Sequence, residues 1–193
     1  PWCDICIKTR ARDDPHPHRA KSLPGVPLDG PPVIQIDHTF MESVTVLCMY
    51  SVDFQCGAAT AVPSKGMHDF TVTWLVRRMA ALGFVDVRLR SDPDVSVKAL
   101  VTAVQKSRHA VTLVEEGPVK SSQSIGGVEQ SHRTLQGHIR IMKLCFEEHF
   151  GFRLIPSMVV LPWLVRHSAW TLTRFMPRGK FGQTAFARHG KKL

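Results

Sequence analysis

The 193-residue sequence lacks any apolar run near the roughly 18 residues that a membrane-spanning helix requires. Its five cysteines are an odd number and too few for a disulfide scaffold, so a reducing compartment is the simpler interpretation. The sequence begins Pro1-Trp2-Cys3, without an initiator Met or a signal-peptide pattern, which predicts a fragment or a processed piece. The apolar content of 44 % and charged content of 21 % exclude an intrinsically disordered chain.

Acidic residues are almost missing from the last third of the chain. Residues 130–193 hold 11 Lys+Arg but only two acids, Glu147 and Glu148, whereas residues 1–129 hold 14 of each sign. The whole excess of +9 therefore lies after residue 129. A basic segment on a neutral body indicates a polyanionic partner, nucleic acid first and an anionic membrane second. The alternative is a solvated basic surface that keeps the protein soluble.

Apolar periodicity divides the chain after residue 32 into short strands and longer helices. Three β-branched runs with short connections predict an antiparallel meander, and two later runs separated by a helix predict parallel strands. The expected fold is α/β, with a mixed five-stranded sheet and helices on both faces. The predicted strands are Val33–Phe40, Val44–Val52, Cys56–Val62, Val85–Arg90 and Ala110–Val114, and the predicted helices are His68–Leu82, Asp94–Ser107, one from about Val128 and one after Pro156.

Three acidic residues follow or begin these predicted elements. Asp37 ends the first strand, Asp92 ends the fourth, and Glu129 lies in the first turn of the helix after Gly126-Gly127. If the first and fourth strands are neighbours, the three carboxylates converge, repel each other and favour Mg²⁺ or Mn²⁺. The alternatives are structural. Acids are common turn and cap residues, Asp94 competes with Asp92 for a helix cap, and a helix dipole alone favours Glu129.

The spacing of the three acids resembles the D…D(35)E pattern of retroviral and retrotransposon integrases. Between Asp37 and Asp92 lie 54 residues, and between Asp92 and Glu129 lie 36. Local segments are similar to the same family, from the hydrophobic first strand to the Gly-containing loop before Glu129 and the basic tail. The segments that carry the resemblance are 33–37, 61–66, 121–133, 161–175 and 182–192, and together they span nearly the whole chain.

This resemblance implies a ribonuclease H-like fold and DNA integration, with 3′-end processing followed by strand transfer. It implies that Asp37, Asp92 and Glu129 are the catalytic residues and that they hold two Mg²⁺ or Mn²⁺ ions. The partners implied are the DNA of the element ends and of the target site, together with further copies of the chain. No membrane partner is expected, and the expected location is the nucleus if the host is eukaryotic. Residues 33–175 are expected to be the catalytic core, and residues 176–193 a basic tail.

The lone pair Cys3 and Cys6 supplies only half of a tetrahedral zinc site. By the same resemblance it is the last pair of a His-His-Cys-Cys module whose histidines lie upstream of Pro1. Zinc is then expected only in the full-length module, and residues 1–32 are its truncated end plus a Pro-rich linker. The alternative is an unpaired pair of thiols.

A polar stripe follows Glu129 at three- and four-residue steps along the predicted helix. A solvated helix face is the ordinary explanation for such a stripe. Because this one begins at a candidate metal site that would hold phosphate, contact with the DNA backbone is also predicted. Its members are His132, Arg133, Gln136, Arg140 and Lys143.

Other residues bear on the class of enzyme, on the choice of metal ligands and on the core. The single tyrosine, Tyr50, lies in a predicted strand, which argues against a tyrosine recombinase. Glu115 and Glu116 are expected in a loop that cannot fix a metal ligand. A ribonuclease H-like nuclease and a non-catalytic nucleic-acid-binding protein derived from an integrase remain as rivals. The remaining cysteines and three tryptophans are predicted to be core residues: Cys48, Cys56, Cys145, Trp74, Trp163 and Trp170.

Overall fold

The computed structural model describes residues 30–41, 43–116, 126–178 and 182–188. These residues form a central sheet, helices on each of its faces and a small C-terminal hairpin. The strands are β1 Val33–Met41, β2 Val44–Ser51, β3 Cys56–Val62, β4 Val87–Ser91, β5 Thr112–Glu116, β6 Pro177–Arg178 and β7 Gln183–Thr184. The helices are α1 Asp69–Ala81, α2 Val95–Ser107, α3 Gly126–Phe150, α4 Val160–Phe175 and α5 Ala185–Arg188.

The main sheet has five strands in the order β3-β2-β1-β4-β5. Strand β1 pairs antiparallel with β2, and β2 pairs antiparallel with β3, whereas β1, β4 and β5 run parallel. The predicted mixed α/β sheet, an antiparallel meander joined to parallel strands, is therefore confirmed. Strand β1 lies at the centre, where it is the antiparallel neighbour of β2 and the parallel neighbour of β4.

Alternate residues of β1 and β2 face opposite layers of helices, because successive side chains of a strand point to opposite sides. Ile34 and Ile36 join the core cluster that lies against α1 and α2. Cys48 and Tyr50 belong to a second cluster with α3 and α4. By the same alternation Gln35 and Asp37 lie on the α3 side of the sheet. The sheet thus presents Asp37 to the helix that carries Glu129.

Several boundaries differ from the predicted ones. Strand β1 ends at Met41, one residue beyond the predicted Phe40, and Asp37 lies in its middle rather than at its end. Strands β4 and β5 begin two residues later than expected, because Val85 and Val111 are exposed and regular pairing starts at Val87 and Thr112. Helix α3 begins at Gly126, two residues before the predicted start.

Two expectations about the core are corrected. Cys48 and Cys56 are buried as predicted, but Cys145 is exposed on the outer side of α3. Trp163 and Trp170 are 54 % and 37 % exposed, so neither is a core residue. The helices that carry these residues have apolar side chains on both sides. The sequence therefore could not show which side faces the core. Among the described helices, none combines the length and the apolar character needed to cross a bilayer.

Candidate active site

Asp37 and Asp92 are brought side by side by the parallel register of β1 and β4. The last paired residues of these strands are Ile36 and Ser91, and each aspartate is the next residue of its chain. The neighbouring position of the two strands, on which the predicted metal site depends, is therefore correct. Backbone pairing alone places two carboxylates at this point of the sheet.

Helix α3 supplies the third carboxylate. Its first turn is joined to β1 by a buried hydrogen bond of 2.8 Å, in which the Val128 N–H donates to Gln35 Oε1. Glu129 is the next residue of the helix, and Gln35 precedes Asp37 by two positions on the same side of the sheet. The three predicted catalytic residues thus lie on adjoining elements along one edge of the sheet, which we call the acidic edge: Asp37, Asp92 and Glu129.

The environment of Asp37 disfavours its charge. Burial raises the pKa of this carboxyl from its ordinary value of 3.8 to about 6, and the charges of Asp92 and Glu129 raise the pKa further. The His38 N–H, which donates to Asp37 Oδ1 at 2.7 Å, and the cation of Lys65 lower this pKa. Burial is the largest cause of the net rise, and the two neighbouring carboxylates add to it. A bound cation would favour the ionised form of Asp37.

The donor set at the acidic edge fits a hard divalent cation, because carboxylate oxygens are the ligands that Mg²⁺ and Mn²⁺ prefer. The side chains are not gathered into a finished site. Within the part of the chain that the structure describes, no three His, Cys, Asp or Glu side chains stand close enough to hold one ion. The acidic edge is thus a set of neighbouring carboxylates on three separate elements.

Asp94, not Asp92, caps helix α2. Its Oδ1 accepts hydrogen bonds from the Ser96 N–H at 2.8 Å and from Ser96 Oγ at 2.6 Å, and these bonds lower its pKa. The choice between the two aspartates that the sequence left open is therefore settled for Asp94. Asp92 is exposed beside Asp37, and the N-cap position does not engage it.

Lys65 is a site residue to which the sequence pattern assigned no role. It follows β3, and its Nζ lies 3.5 Å from Asp94 Oδ2 and 5.4 Å from the centre of the Phe40 ring. Its charge also lowers the pKa of Asp37. The sequence signal that could have revealed it is its place in residues 61–66, one of the segments that carry the integrase resemblance. Lys65 gives the acidic edge a basic neighbour.

His132 departs from the stripe predicted to contact DNA. It is only 8 % exposed, and its Nδ1 lies 3.8 Å from Asp37 Oδ2. Burial lowers the pKa of His132 to about 4, with a smaller effect of the nearby His38, so the imidazole is neutral at physiological pH. The two side chains are therefore neighbours without an ion pair. His132 faces the acidic edge instead of an open surface, so direct DNA contact by this residue is not supported.

The other members of the stripe divide into two kinds. Gln136 Nε2 donates to Thr39 Oγ1 at 2.7 Å, which ties α3 to β1, and Lys143 Nζ lies 4.0 Å from Glu147 Oε1. Arg133 and Arg140 are exposed. These two arginines are the stripe residues best placed to meet a phosphate backbone.

Glu115 lies on strand β5 and not in a loop, which corrects the prediction. Its carboxylate pairs with Arg90 Nη2 at 2.7 Å and with Arg88 Nη1 at 3.4 Å. The charge of Glu115 is therefore already neutralised by two arginines of β4. This pairing, rather than loop mobility, argues against Glu115 as a metal ligand.

A second surface lies on the outer side of α4, and we call it the aromatic face: Trp163, His167 and Trp170. The rings of Trp163 and His167 stack with centroids 4.6 Å apart and planes inclined by 10°, and those of His167 and Trp170 with 5.5 Å and 21°. The Arg174 guanidinium lies 4.9 Å from the centre of the Trp170 ring. Between this face and α1 lies a cavity of about 330 Å³ whose lining includes Trp74.

Two polar side chains tie the helices to the sheet. Gln136 joins α3 to β1 as described above. Thr173 exchanges hydrogen bonds with Gly57: its Oγ1 donates to the Gly57 carbonyl at 2.8 Å and accepts from the Gly57 N–H at 3.2 Å. Helix α4 is thereby fixed to β3.

The sequence matches no protein-family model and no curated protein. Solved structures do match. The catalytic core domain of BIV integrase aligns with a TM-score of 0.56 over 84 % of this chain and 95 % of its own, at 14 % identity. The chain has the fold of a retroviral integrase catalytic core. The HTLV-2 integrase catalytic core domain, solved in complex with magnesium in a trimeric form, aligns with a TM-score of 0.58 at 12 % identity, over 81 % of this chain and 95 % of its own.

Structural matches at identities this low show the integrase-type, ribonuclease H-like fold alone. Any activity must be argued from the site itself. The acidic edge lies in the sheet and helix elements that make up this fold. Cys3, Cys6 and residues 117–125 lie outside the described residues, so the zinc pair and the loop before α3 stay predictions. The predicted domain limits stay predictions as well.

Proposed function

We propose that this chain is the catalytic core of an integrase-type polynucleotidyl transferase, which processes the 3′ ends of element DNA and joins them to target DNA. The observation that carries the proposal is that Asp37, Asp92 and Glu129 lie on adjoining elements of an integrase-type fold, near enough for the charges of Asp92 and Glu129 to raise the pKa of Asp37. Two further features support it. Lys65 and the exposed Arg133 and Arg140 offer cations to DNA, and residues 130–193 carry the whole excess of positive charge.

In this proposal Asp37, Asp92 and Glu129 would together hold two Mg²⁺ or Mn²⁺ ions. When bound, such ions lower the pKa of an oxygen nucleophile and stabilise charge on the leaving oxygen. Asp37 must be ionised to serve. A bound cation would favour the ionised form and so offset the burial that raises the pKa of Asp37 to about 6.

Both reaction steps use the same site. Water is the nucleophile in the first step and the freed 3′ hydroxyl in the second, so no residue of this chain needs to become covalently attached to DNA. Arg133, Arg140 and Lys65 would hold phosphates on either side of the scissile bond. We further propose that the chain acts as a homo-oligomer on two DNA partners, and in the nucleus if its host is eukaryotic.

A second candidate is a DNA-binding protein of the same fold without catalysis. The observation that favours it is that the described carboxylates are not gathered closely enough to hold one ion. A nuclease with the same site is the third candidate, and it differs from an integrase only in the nucleophile of the joining step.

A single assay separates the three candidates. End-labelled duplex DNA is incubated with the protein and Mg²⁺ or Mn²⁺, and the products are resolved by length. An integrase yields shortened strands and longer joined strands, a nuclease yields shortened strands only, and a binding protein retards DNA without changing it. Asp92→Asn is the matched control, because it keeps size and polarity while it removes a charged ligand. Products that persist at equal rate in Asp92→Asn would arise elsewhere and contradict the proposal.

A further inference from the structure

The buried residue Gln35 joins the two elements that carry Asp37 and Glu129. It is 3 % exposed within β1, two positions before Asp37. A buried amide oxygen requires a donor, and the first N–H groups of a helix have no partner within the helix. Gln35 Oε1 accepts the N–H of Val128, the third residue of α3, at 2.8 Å. A strand side chain 93 positions away thus caps the helix that carries Glu129.

Gly127 gives an independent sign that this contact is closely fitted. A Cβ added to Gly127 would lie 2.8 Å from Gln35 Oε1 and 3.4 Å from Cε1 of Tyr50. Tyr50 and Gln35 are paired neighbours on β2 and β1. The helix therefore approaches the sheet so closely that a Cβ at position 127 would have to displace the Gln35 amide oxygen.

A second hydrogen bond between α3 and β1 lies further along the helix. There Gln136 Nε2 donates to Thr39 Oγ1 at 2.7 Å. Glu129 follows the Gln35 contact directly, whereas Gln136 is two helical turns further on. The two contacts therefore differ in how directly they fix Glu129, although both hold the same helix against the same strand.

We propose that Gln35 is a positioning residue that sets the place of Glu129 relative to Asp37. This inference rests on the proposed function, since it assumes that the two carboxylates must meet around divalent ions. Ligand groups must be held within about 0.5 Å of the productive geometry, and side chains on regular elements achieve this when neighbours lock those elements together. Gln35 provides that lock at the residue before Glu129.

The test compares Gln35→Met with Thr39→Val. The first variant keeps length and removes the acceptor at Val128, and the second removes the acceptor at Gln136 and leaves the Gln35 contact intact. Mn²⁺ alone is the probe, with its binding measured by the electron paramagnetic resonance signal of the free ion. We expect Gln35→Met to weaken Mn²⁺ binding at least fivefold and Thr39→Val to change it less than twofold. Thermal unfolding is followed for both, because loss of either hydrogen bond lowers stability.

Gly127→Ala tests the same contact without removal of Gln35, and it serves if Gln35→Met fails to fold. We expect weaker Mn²⁺ binding in Gly127→Ala, and a double variant Gly127→Ala with Gln35→Ala that binds no worse than Gln35→Ala alone, since the second change frees the space. Gly137→Ala is the matched control, because a Cβ at Gly137 of α3 meets nothing within 4 Å among the described residues. It should leave binding unchanged.

The outcomes separate the inference from the proposed function. A wild-type chain that neither binds Mn²⁺ nor processes DNA overturns the proposed function, and the inference with it. A wild-type chain that binds Mn²⁺ while Gln35→Met and Gly127→Ala bind it equally well overturns the inference alone. Equal losses in Gln35→Met and Thr39→Val also overturn it, because they would show a general role in stability.

Discussion

The acidic edge combines residues from three separate elements, whereas the aromatic face comes from a single helix. At the acidic edge, backbone pairing of β1 with β4 and one buried hydrogen bond to α3 bring together residues that are distant in sequence. On the aromatic face, Trp163, His167 and Trp170 come from one helix and stack on each other outside the core. The neighbouring position of β1 and β4 was predicted correctly from the sequence, whereas the side of α4 that faces the core was not.

The largest expected effect is on catalysis at the acidic edge. Asp37→Asn and Asp92→Asn should each reduce cleavage and joining by at least 100-fold, or about 3 kcal/mol of transition-state stabilisation. Both variants should still fold and bind DNA, because both changes preserve size. Product yields at saturating Mg²⁺ are the measurement. An active Asp37→Asn would break the comparison, since the acidic edge would then be no more functional than the aromatic face.

Asp37→Asn, which should greatly reduce catalysis, should make the folded protein more stable. The pKa of Asp37 is raised from 3.8 to about 6, so the ionised form costs the native state up to about 3 kcal/mol above pH 6. Without metal, Asp37→Asn should therefore raise the free energy of unfolding at pH 8, and the gain should disappear as the pH falls from 6 to 4. Urea unfolding at both pH values measures this gain. A lower free energy of unfolding for Asp37→Asn at pH 8 would show that the ionised carboxylate does not destabilise the native state.

Binding to DNA should depend on the exposed arginines of α3. If each neutralises one phosphate, Arg133→Ala with Arg140→Ala should reduce the slope of log K against log salt by about 2. His132→Asn is the control, because His132 is buried and neutral and should leave the slope unchanged. The slope is obtained from binding titrations on duplex DNA at several salt concentrations. An unaltered slope in the double arginine variant would move the DNA path away from α3.

The smallest expected effect belongs to the aromatic face. Because Trp163 is 54 % exposed, Trp163→Ala should change the free energy of unfolding by less than about 1 kcal/mol, whereas a buried tryptophan would cost about 3–5 kcal/mol. Leu164→Ala, at a neighbouring buried position of α4, is the matched control and should cost about 2–5 kcal/mol. Equal losses in the two variants would show that the sequence-based assignment of Trp163 to the core was right.

Much of the fold could be predicted from local pattern. Alternation and β-branched runs fixed the strands, and the short connections after β1 and β2 fixed the antiparallel pairs. The predicted starts of β4 and β5 were wrong by two residues, because Val85 and Val111 continue the apolar pattern but lie outside the pairing. Periodicity could not show this, since only the neighbouring strand decides where pairing begins.

The candidate site was predictable where it depends on acids and their spacing, and less so where it depends on tertiary contacts. Asp37 and Asp92 meet as expected. The sequence could not decide that Asp94 is the cap, that Arg88 and Arg90 pair with Glu115, or that His132 is buried. Each depends on a side chain from another part of the fold or on which side of a helix meets the sheet. Gln35 lies in segment 33–37, which carries the integrase resemblance, but its contact with α3 could not be predicted, because its partner is a backbone N–H.

The most direct test of the account compares two changes from carboxylate to amide. Strand transfer in Mg²⁺ is measured for Glu129→Gln and for Glu115→Gln combined with Glu116→Gln. The account predicts a loss of at least 100-fold for Glu129→Gln, with DNA binding retained, and a loss below about tenfold for the pair, since Glu115 is already neutralised by Arg88 and Arg90. An active Glu129→Gln together with an inactive pair variant would contradict it.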